Sequence, residues 1–597
     1  MNRSELISLV VRLTKKLKRI PKRYEVLEFT SRHEIENRFN NYSSLIEAAK
    51  GRKEVKKLFE DIRKKESKDK VDAQLNKLCK VIEKIGRLPT YSEFVKHGLV
   101  ESTLSRLIGG REELIKALKK FKPDIFDKLP DIEFVSKKQE SRLKKISQTK
   151  NNFVITTAVL GAPVDRSFLA SLETYCKAND AELVILTCVN AIGQKRNWTS
   201  FDKALIDHSI VTGELKLGKH IHISGIKLTA KQKLPSSGLK YMTHKKSNFI
   251  IASPKQIVEF VPTRHESLPN AFITTGAVTV PEYRSKTYRQ ERSGAIAEYD
   301  HTMGAIVVQN DGDYFHFRNL TANDDGSFFD LGMLYSGDSV EKENPKLLVP
   351  GDVHIGHHSE EALKQFFKLT KKFKPEGVVL HDVWDGLNFC WHDRNKIITK
   401  TLKAEKEMST DEEFKAVAKF LAQCAKLSDN VYVPAANHLD RFLRYLESGE
   451  WANPRVADPT RTRLMYKAFG VALEEENPLE HVIKSFMKLS ESDKDRIKFL
   501  GRNDDLIIEG NQFAAHGDKR ENGKKGGSLK QMAESYGPGI YNHSHSPGIY
   551  LDAMNTGTMT GKLQYAEGLS TWMQSIGCVY RGGAKQMINL INGKYQP

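Results

Sequence analysis

No stretch of this 597-residue chain approaches the ~20 uninterrupted apolar residues that a membrane-spanning helix requires, so no membrane partner is expected. The opening segment MNRSELISLVVRLTKK lacks the charged, apolar, small-residue order of a secretory signal, which makes the cytoplasm the expected compartment. Cysteine is sparse as well. The six cysteines, Cys79, Cys176, Cys188, Cys390, Cys424 and Cys578, show no C-x-x-C spacing. That argues against a zinc knuckle or a redox pair and leaves reduced thiols as the expectation.

What is abundant is positive charge, and it is unevenly placed. Residues 1–150 hold 38 Lys and Arg against 22 Asp and Glu, which is 16 of the net charge of +19, and the other 447 residues carry only +3. An appended polyanion-binding module has this asymmetry, because clustered Lys and Arg release counterions condensed on a nucleic acid backbone. Solvated helix faces would read the same way. With 39% hydrophobic residues the chain can build two to four domains, each with its own core.

The basic region reads as helical. Leu6, Val10, Leu13 and Leu17 share a face, with Arg12, Lys15, Lys16 and Arg19 off it as candidate DNA contacts. An internal repeat follows. Arg19-Ile20-Pro21 with Glu25-Val26, closing on Leu45-Ile46-x-x-Ala49, is echoed by Arg87-Leu88-Pro89 with Glu93-Phe94, closing on Leu114-Ile115-x-Ala117. These units resemble small helical repeats found beside some phage and homing endonucleases, where they bind DNA; helical repeats also mediate protein contacts.

We therefore assign 1–120 as a basic helical repeat module, 121–150 as a linker and 151–340 as an α/β domain of unknown role. The linker rests on the polar stretch KKQESRLKKISQTKN. In the middle segment, Phe153–Thr157 and Leu183–Leu186 flank a helical pattern at Ser167–Lys177, as in a βαβ unit, and strands are expected at Ala305–Gln309 and Tyr314–Phe317.

Residues 341–597 carry the chemistry, in five segments that each follow an apolar run. After Lys346-Leu-Leu-Val-Pro come Asp352 and His354; alternation at a strand end points both to one side, where they can meet a cation. A helix with Leu363, Phe366, Phe367 and Phe373 inward leads to the strand Gly377–Leu380 and then to His381-Asp382-Val383-Trp384-Asp385. Ser409 and Glu412 form a capping box on the next helix, and the strand Val431–Pro434 ends in Asn437-His438-Leu439-Asp440. His516-Gly517-Asp518 and His543-Ser544-His545 complete the set, and residues 452–495 read as an inserted helical segment. Strand, helix, strand with ligands at each strand end is an α/β layout whose site lies at the carboxyl edge of the sheet.

The ordered series D-x-H, D-x-x-D, N-H, H and H-x-H resembles the signature of calcineurin-like metallophosphoesterases across residues 346 to about 560. The resemblance implies an α/β sandwich fold, metal ligands Asp352, His354 and His545 at one site, Asp382 bridging, and Asn437, His516 and His543 at a second. It implies His438 as catalytic proton donor or transition-state stabiliser, and Asp385 and Asp440 as residues that hold ligands in place. Two cations ~3.5–4 Å apart lower the pKa of a bridging water and clamp the oxygens of an in-line displacement at phosphorus. Mixed Asp, His and Asn ligation suits manganese, iron or zinc, and analogy with the nuclease branch favours Mn2+.

Three support positions depart from the family's glycines: His381, Ala436 and Asn542. His220 and His222 read as an ordinary half-exposed strand, and His357 and His358 as loop histidines able to reach a phosphate. The basic loop holding Lys519, Arg520, Lys524 and Lys525 could grip a phosphate chain or could be a flexible turn.

The D-x-H-x-G first motif also resembles the double-strand-break-repair nucleases. With the phage-like repeats, the expectation is a metal-dependent deoxyribonuclease with DNA as partner, similar to an early DNA-degrading phage protein and so at work in the host cytoplasm. A phosphatase or phosphodiesterase on small-molecule or protein substrates, and a DNA-binding regulator with a vestigial metal site, remain open. Many relatives self-assemble, so a homo-oligomer also stays open.

Overall fold

The computed structural model describes residues 1–85, 89, 96–99, 111–127, 141, 143, 150–190, 201–263, 268–283, 288–311, 314–389, 409–453, 459–474, 476–561, 563 and 568–595. The chain forms two compact units, Met1–Pro130 and Asp131–Pro597.

The first unit is helical among its described residues. Asn2 and Glu5 close a capping box on the helix Arg3–Leu17, and Ser31 with Glu34 does the same for Arg32–Phe39. The apolar face read from the sequence is buried: Leu6, Val10 and Leu13 pack with Val26, Ile35, Phe39, Leu45, Ile46 and Ala49. The first copy of the repeat therefore closes on its own core. In the second copy Arg87, Leu88, Glu93 and Phe94 lie outside the described residues, as does most of the linker segment.

The second unit is mixed α/β with several sheets. Asn152–Val159 and Glu182–Cys188 pair in parallel around the helix Arg166–Ala178, giving the βαβ unit at the head of a five-stranded sheet. Gly304–Asn310 and Phe315–Thr321 add to it as an antiparallel pair.

A six-stranded sheet carries the ligand motifs. Its order is Ile497–Leu500, Asn430–Pro434, Gly377–Val379, Leu347–Pro350, Gln574–Val579, Lys585–Leu590, with the first four parallel and the last two antiparallel. Period-two alternation splits its faces. Leu348, Val378 and Leu380 share a core with Phe366 and Leu369 of the helix Glu360–Phe373 and with Phe414, Val417 and Leu421 of Thr410–Ala425. Leu347, Val349 and Val379 instead share a core with Ile540 and Met554 of a second, ten-stranded sheet and with Phe513 beside it. The expected capping box opens Thr410–Ala425, with both Ser409 and Glu412 bonds made.

The ten-stranded sheet crosses the boundary drawn at residue 340. Gly548–Tyr550 pairs antiparallel with Gln256–Val261, so the two segments read as separate domains share one sheet and one core. Buried strands satisfy their backbone groups in a neighbour wherever it lies in sequence, and no local pattern announces a partner almost 300 residues away. The insertion 452–495 contains the helices Pro459–Leu473, Pro478–Ser485 and Glu491–Lys494, the first two packed on Thr410–Ala425. Among the described residues no helix is long and apolar enough to cross a membrane.

Candidate metal centre

The ligand motifs sit at the carboxyl ends of neighbouring parallel strands, and their loops are laced together. Val353 and His354 donate backbone N–H bonds to the carbonyls of His381 (3.2 Å) and Asp382 (2.8 Å), and Asn542 N–H donates to His516 O at 2.7 Å. Gly517, at φ 111°, allows that last approach, because a Cβ there would lie 2.9 Å from the Asn542 carbonyl oxygen. Four candidate ligands hold left-handed backbone: His354 (φ 45°), Asp382 (41°), His543 (73°) and His545 (57°). Each costs on the order of 1 kcal/mol and is sustained by the surrounding bonds, a pattern typical of functional sites.

All seven candidate ligands converge. His354 Nε2 lies 3.0 Å from His545 Nε2, which is 3.3 Å from Asp352 Oδ2. His516 Nε2 is 3.1 Å from Asp382 Oδ2 and 3.2 Å from Asn437 Oδ1, and His543 Nδ1 is 3.0 Å from the same amide oxygen. Three overlapping groups could each hold an ion: Asp352, His354 and His545; His354, Asp382 and His438; Asp352, Asp382 and His516. Asp352 and Asp382 are each common to two of them.

The donor set fits divalent cations. Asp352 Oδ1 and Asp382 Oδ1 are buried with no hydrogen-bond partner, a costly arrangement for two carboxylates unless something else binds them. Burial pushes the Asp352 carboxyl up to about 6, against the pull of His516. For Asp382 burial acts upward too, but His516 and His438 together hold it well below the usual carboxylate range. Burial lowers the His516 imidazole, yet Asp382 and Asp352 outweigh it and carry it up to about 9. His543 is driven down to about 4 and His545 well below the usual histidine range, by burial first and then by the neighbouring imidazoles His516 and His354, respectively. Without a cation, the cluster thus keeps protons at some ligands that a cation would displace.

His438 sits at the rim of this cluster. Its Nδ1 lies 2.9 Å from the Asp385 carbonyl oxygen, which fixes Nδ1–H as the donor and leaves Nε2 toward Arg441 Nη2 at 3.5 Å. The Asp385 carboxylate lies 3.2 Å from His354 Nδ1 and 3.3 Å from His438 Nδ1. Asp440 opens the helix Asp440–Ser448, and its carboxylate accepts from Arg502 Nη2 at 2.7 Å and lies 3.6 Å from Lys519.

Other sequence candidates divide by exposure. Arg12, Lys15 and Lys16 are exposed on the first helix. Arg19 is half-buried and engaged instead: its guanidinium clasps Glu25 with two bonds, one at 2.8 Å, and holds that carboxyl down to about 2. The R-x-P-x-x-x-E signature of the repeat is therefore a structural clasp in its first copy. Lys519, Lys524 and Lys525 are exposed on a short hairpin closed by the Lys519–Lys525 bridge, and Arg520 Nε donates to Lys525 O at 3.2 Å. His357 reaches Asp385 at 3.8 Å, and His358 is tied to Gly356 N–H and Glu360. Ile221 and Ile223 are buried with His222 half-buried between them, an ordinary strand. Among the described residues Cys79, Cys176, Cys188, Cys424 and Cys578 are in no disulfide.

The structure gives contacts to residues to which the sequence assigned no role. Arg502 donates to both Asp440 and Asp518, bracing the third motif against the fourth. Asn542 uses its side chain as a bracket to Pro350 O and Thr556. Trp572 packs edge-on to His545 at 4.3 Å between ring centroids. Arg441 and Asp518 stood next to recognised motifs and were findable by proximity; Arg502 and Trp572 were not.

The chain is similar to Protein A1 of Escherichia phage T5. The two are 24% identical over 471 residues, covering 74% of this chain and 82% of the phage protein. No family model matches the chain. Two crystal structures of Vps29 from Chaetomium thermophilum overlay on 32% of this chain and on 95% and 100% of their own, at 12% and 8% identity and TM-scores of 0.18 and 0.19, too loose to bear on the fold.

Proposed function

We propose that this protein is a metal-dependent phosphoesterase that hydrolyses the phosphodiester bonds of DNA. One observation carries the reading: seven Asp, His and Asn side chains from five strand-end loops converge, with two buried carboxylate oxygens left unpartnered. Asp352, His354 and His545 would hold one cation, Asn437, His516 and His543 another, with Asp382 shared. Two divalent cations there, manganese by preference, supply charge stabilisation at phosphorus and a water-derived nucleophile near neutral pH.

The chain's own groups do the rest. His438, anchored through Nδ1–H to the Asp385 carbonyl, presents Nε2 to carry a proton to the leaving oxygen. Arg441, whose Nη1 donates to the same carbonyl at 2.6 Å, stands beside it as a partner for a phosphate oxygen. Exposed Arg12, Lys15 and Lys16 favour a polyanion as substrate. Similarity to a phage protein supports placing the activity in an infected cell, acting on host DNA in its cytoplasm.

The test is cleavage of supercoiled plasmid and linear duplex DNA by wild type with manganese, wild type with chelator, and the Asp382→Ala and His438→Ala proteins. Manganese-dependent degradation lost in both variants supports the reading. A folded, metal-loaded wild type that leaves DNA intact sinks it and turns attention to small-molecule and protein phosphoesters.

A further inference from the structure

A cavity of about 840 Å³ shares a wall with the metal cluster. Trp572 forms part of that wall and packs against His545, while Thr558, also in the lining, donates its Oγ1 hydrogen bond to the Asp352 carbonyl at 3.1 Å. Phe260, Tyr314 and Phe315 supply further aromatic surface.

The polar groups are few and specific. Asn589 accepts from Phe317 N–H through Oδ1, and its Nδ2 has no partner among the described residues although the residue is only 2% exposed. Gln574 donates Nε2 to Thr560 O, leaving Oε1 as an acceptor. Among the described residues the lining holds no Lys or Arg, and its one carboxylate there is Glu361. Among these residues a phosphate would meet no lysine or arginine. A flat, neutral ring with donors and acceptors on its edge would find a stacking surface, an amide donor and an amide acceptor.

We propose that this cavity binds a nucleobase, that of the nucleotide whose phosphate lies at the metal cluster. The inference rests on the nuclease reading and narrows it, because a base can enter only from a single strand, a frayed end or a flipped nucleotide. Trp572 then acts as the partition, one ring thick, between base and phosphate.

Saturation-transfer NMR with thymidine and deoxyadenosine, on full-length protein in chelator, tests the cavity without metal or phosphate. Transfer to the base protons is expected for wild type. It should fall at least about fivefold in Gly561→Trp, which fills the cavity from a position where a Cβ meets no atom within 4 Å, and in Tyr314→Ala at an exposed edge. No transfer in wild type, or equal transfer in all three proteins, overturns the proposal.

With manganese, Gly561→Trp should raise KM for a single-stranded oligonucleotide roughly tenfold while hydrolysis of bis(p-nitrophenyl) phosphate stays unchanged. An unchanged oligonucleotide KM overturns base binding at the scissile nucleotide. A wild type that binds nucleosides yet hydrolyses neither diester would sink the phosphoesterase reading while supporting the base site, so the two failures are distinguishable.

Discussion

Two buried polar clusters in the second unit invite comparison. Around Arg318, donors and acceptors match: its guanidinium reaches both Asp330 oxygens (2.7 and 3.0 Å), Gln309 and Tyr175 OH, and Gln586 Nε2 adds a bond to Asp330 at 2.7 Å. Around Asp382 the reverse holds, with carboxylates and imidazoles crowded together and Asp352 Oδ1 and Asp382 Oδ1 unpartnered. Both clusters are equally hidden from water, so burial does not distinguish them. Completeness does. A satisfied network locks strands together, whereas an unsatisfied one stores a capacity to bind.

Breaking each cluster should therefore have opposite consequences. Asp382→Asn is expected to lower DNA hydrolysis by at least ~10⁴-fold, roughly 5 kcal/mol at the transition state. The metal-free variant should lose only the stability tied to the His516 proton, because the charge that holds that proton is removed. Initial rates with saturating manganese and calorimetry in chelator check both halves; undiminished hydrolysis would show that Asp382 is not a ligand. Arg318→Leu inverts the pattern. Leaving Asp330 buried without its partner should cost about 3 to 5 kcal/mol in denaturant melts, with the specific activity of the folded fraction preserved.

The proton content of the ligand cluster sharpens the contrast. His516 stands at about 9 in the folded, metal-free chain, above its usual histidine value. The stability it contributes is fully present below about 6.5 and is lost as pH rises through about 9. A cation must displace that proton, so apparent manganese affinity should rise with pH up to about 9, with net proton release on binding. Titration calorimetry in buffers of different ionisation enthalpy reads this directly, and binding without proton release would show that His516 is not a ligand.

The smallest effects are expected in the first unit. Replacing Arg12, Lys15 and Lys16 singly by Ala should weaken DNA binding uniformly and flatten its logarithmic salt dependence by about 1 each. Arg19→Ala should leave the salt slope alone and lower the thermal stability of the helical module, since its charge is spent on Glu25. Equal salt slopes for all four variants would mean that the exposed basic face does not meet the backbone of DNA.

Much of the candidate metal cluster was legible because its first three segments stand at the ends of apolar strands, and strand ends are visible in sequence. The Ser409 and Glu412 cap, the inward face of Glu360–Phe373 and the buried stripe of the first helix were readable for the same reason: each depends on residues three or four apart. Arg19 misled because a lone arginine in a basic segment reads as a free cation, and its partner six residues on becomes a neighbour only once the chain turns at Pro21.

By itself the sequence determined the helix caps, the faces turned inward, the order of ligand-bearing strand ends and the basic bias of the first 150 residues, all properties carried within a turn or a strand. Only the tertiary structure decided that Gln256–Val261 joins Gly548–Tyr550, that Arg502 braces two motifs, and that aromatic residues from both halves of the second unit wall a cavity beside the metal cluster. Such pairings are set by which buried backbone and side-chain groups can satisfy one another in space, a condition on the whole fold that local periodicity does not contain.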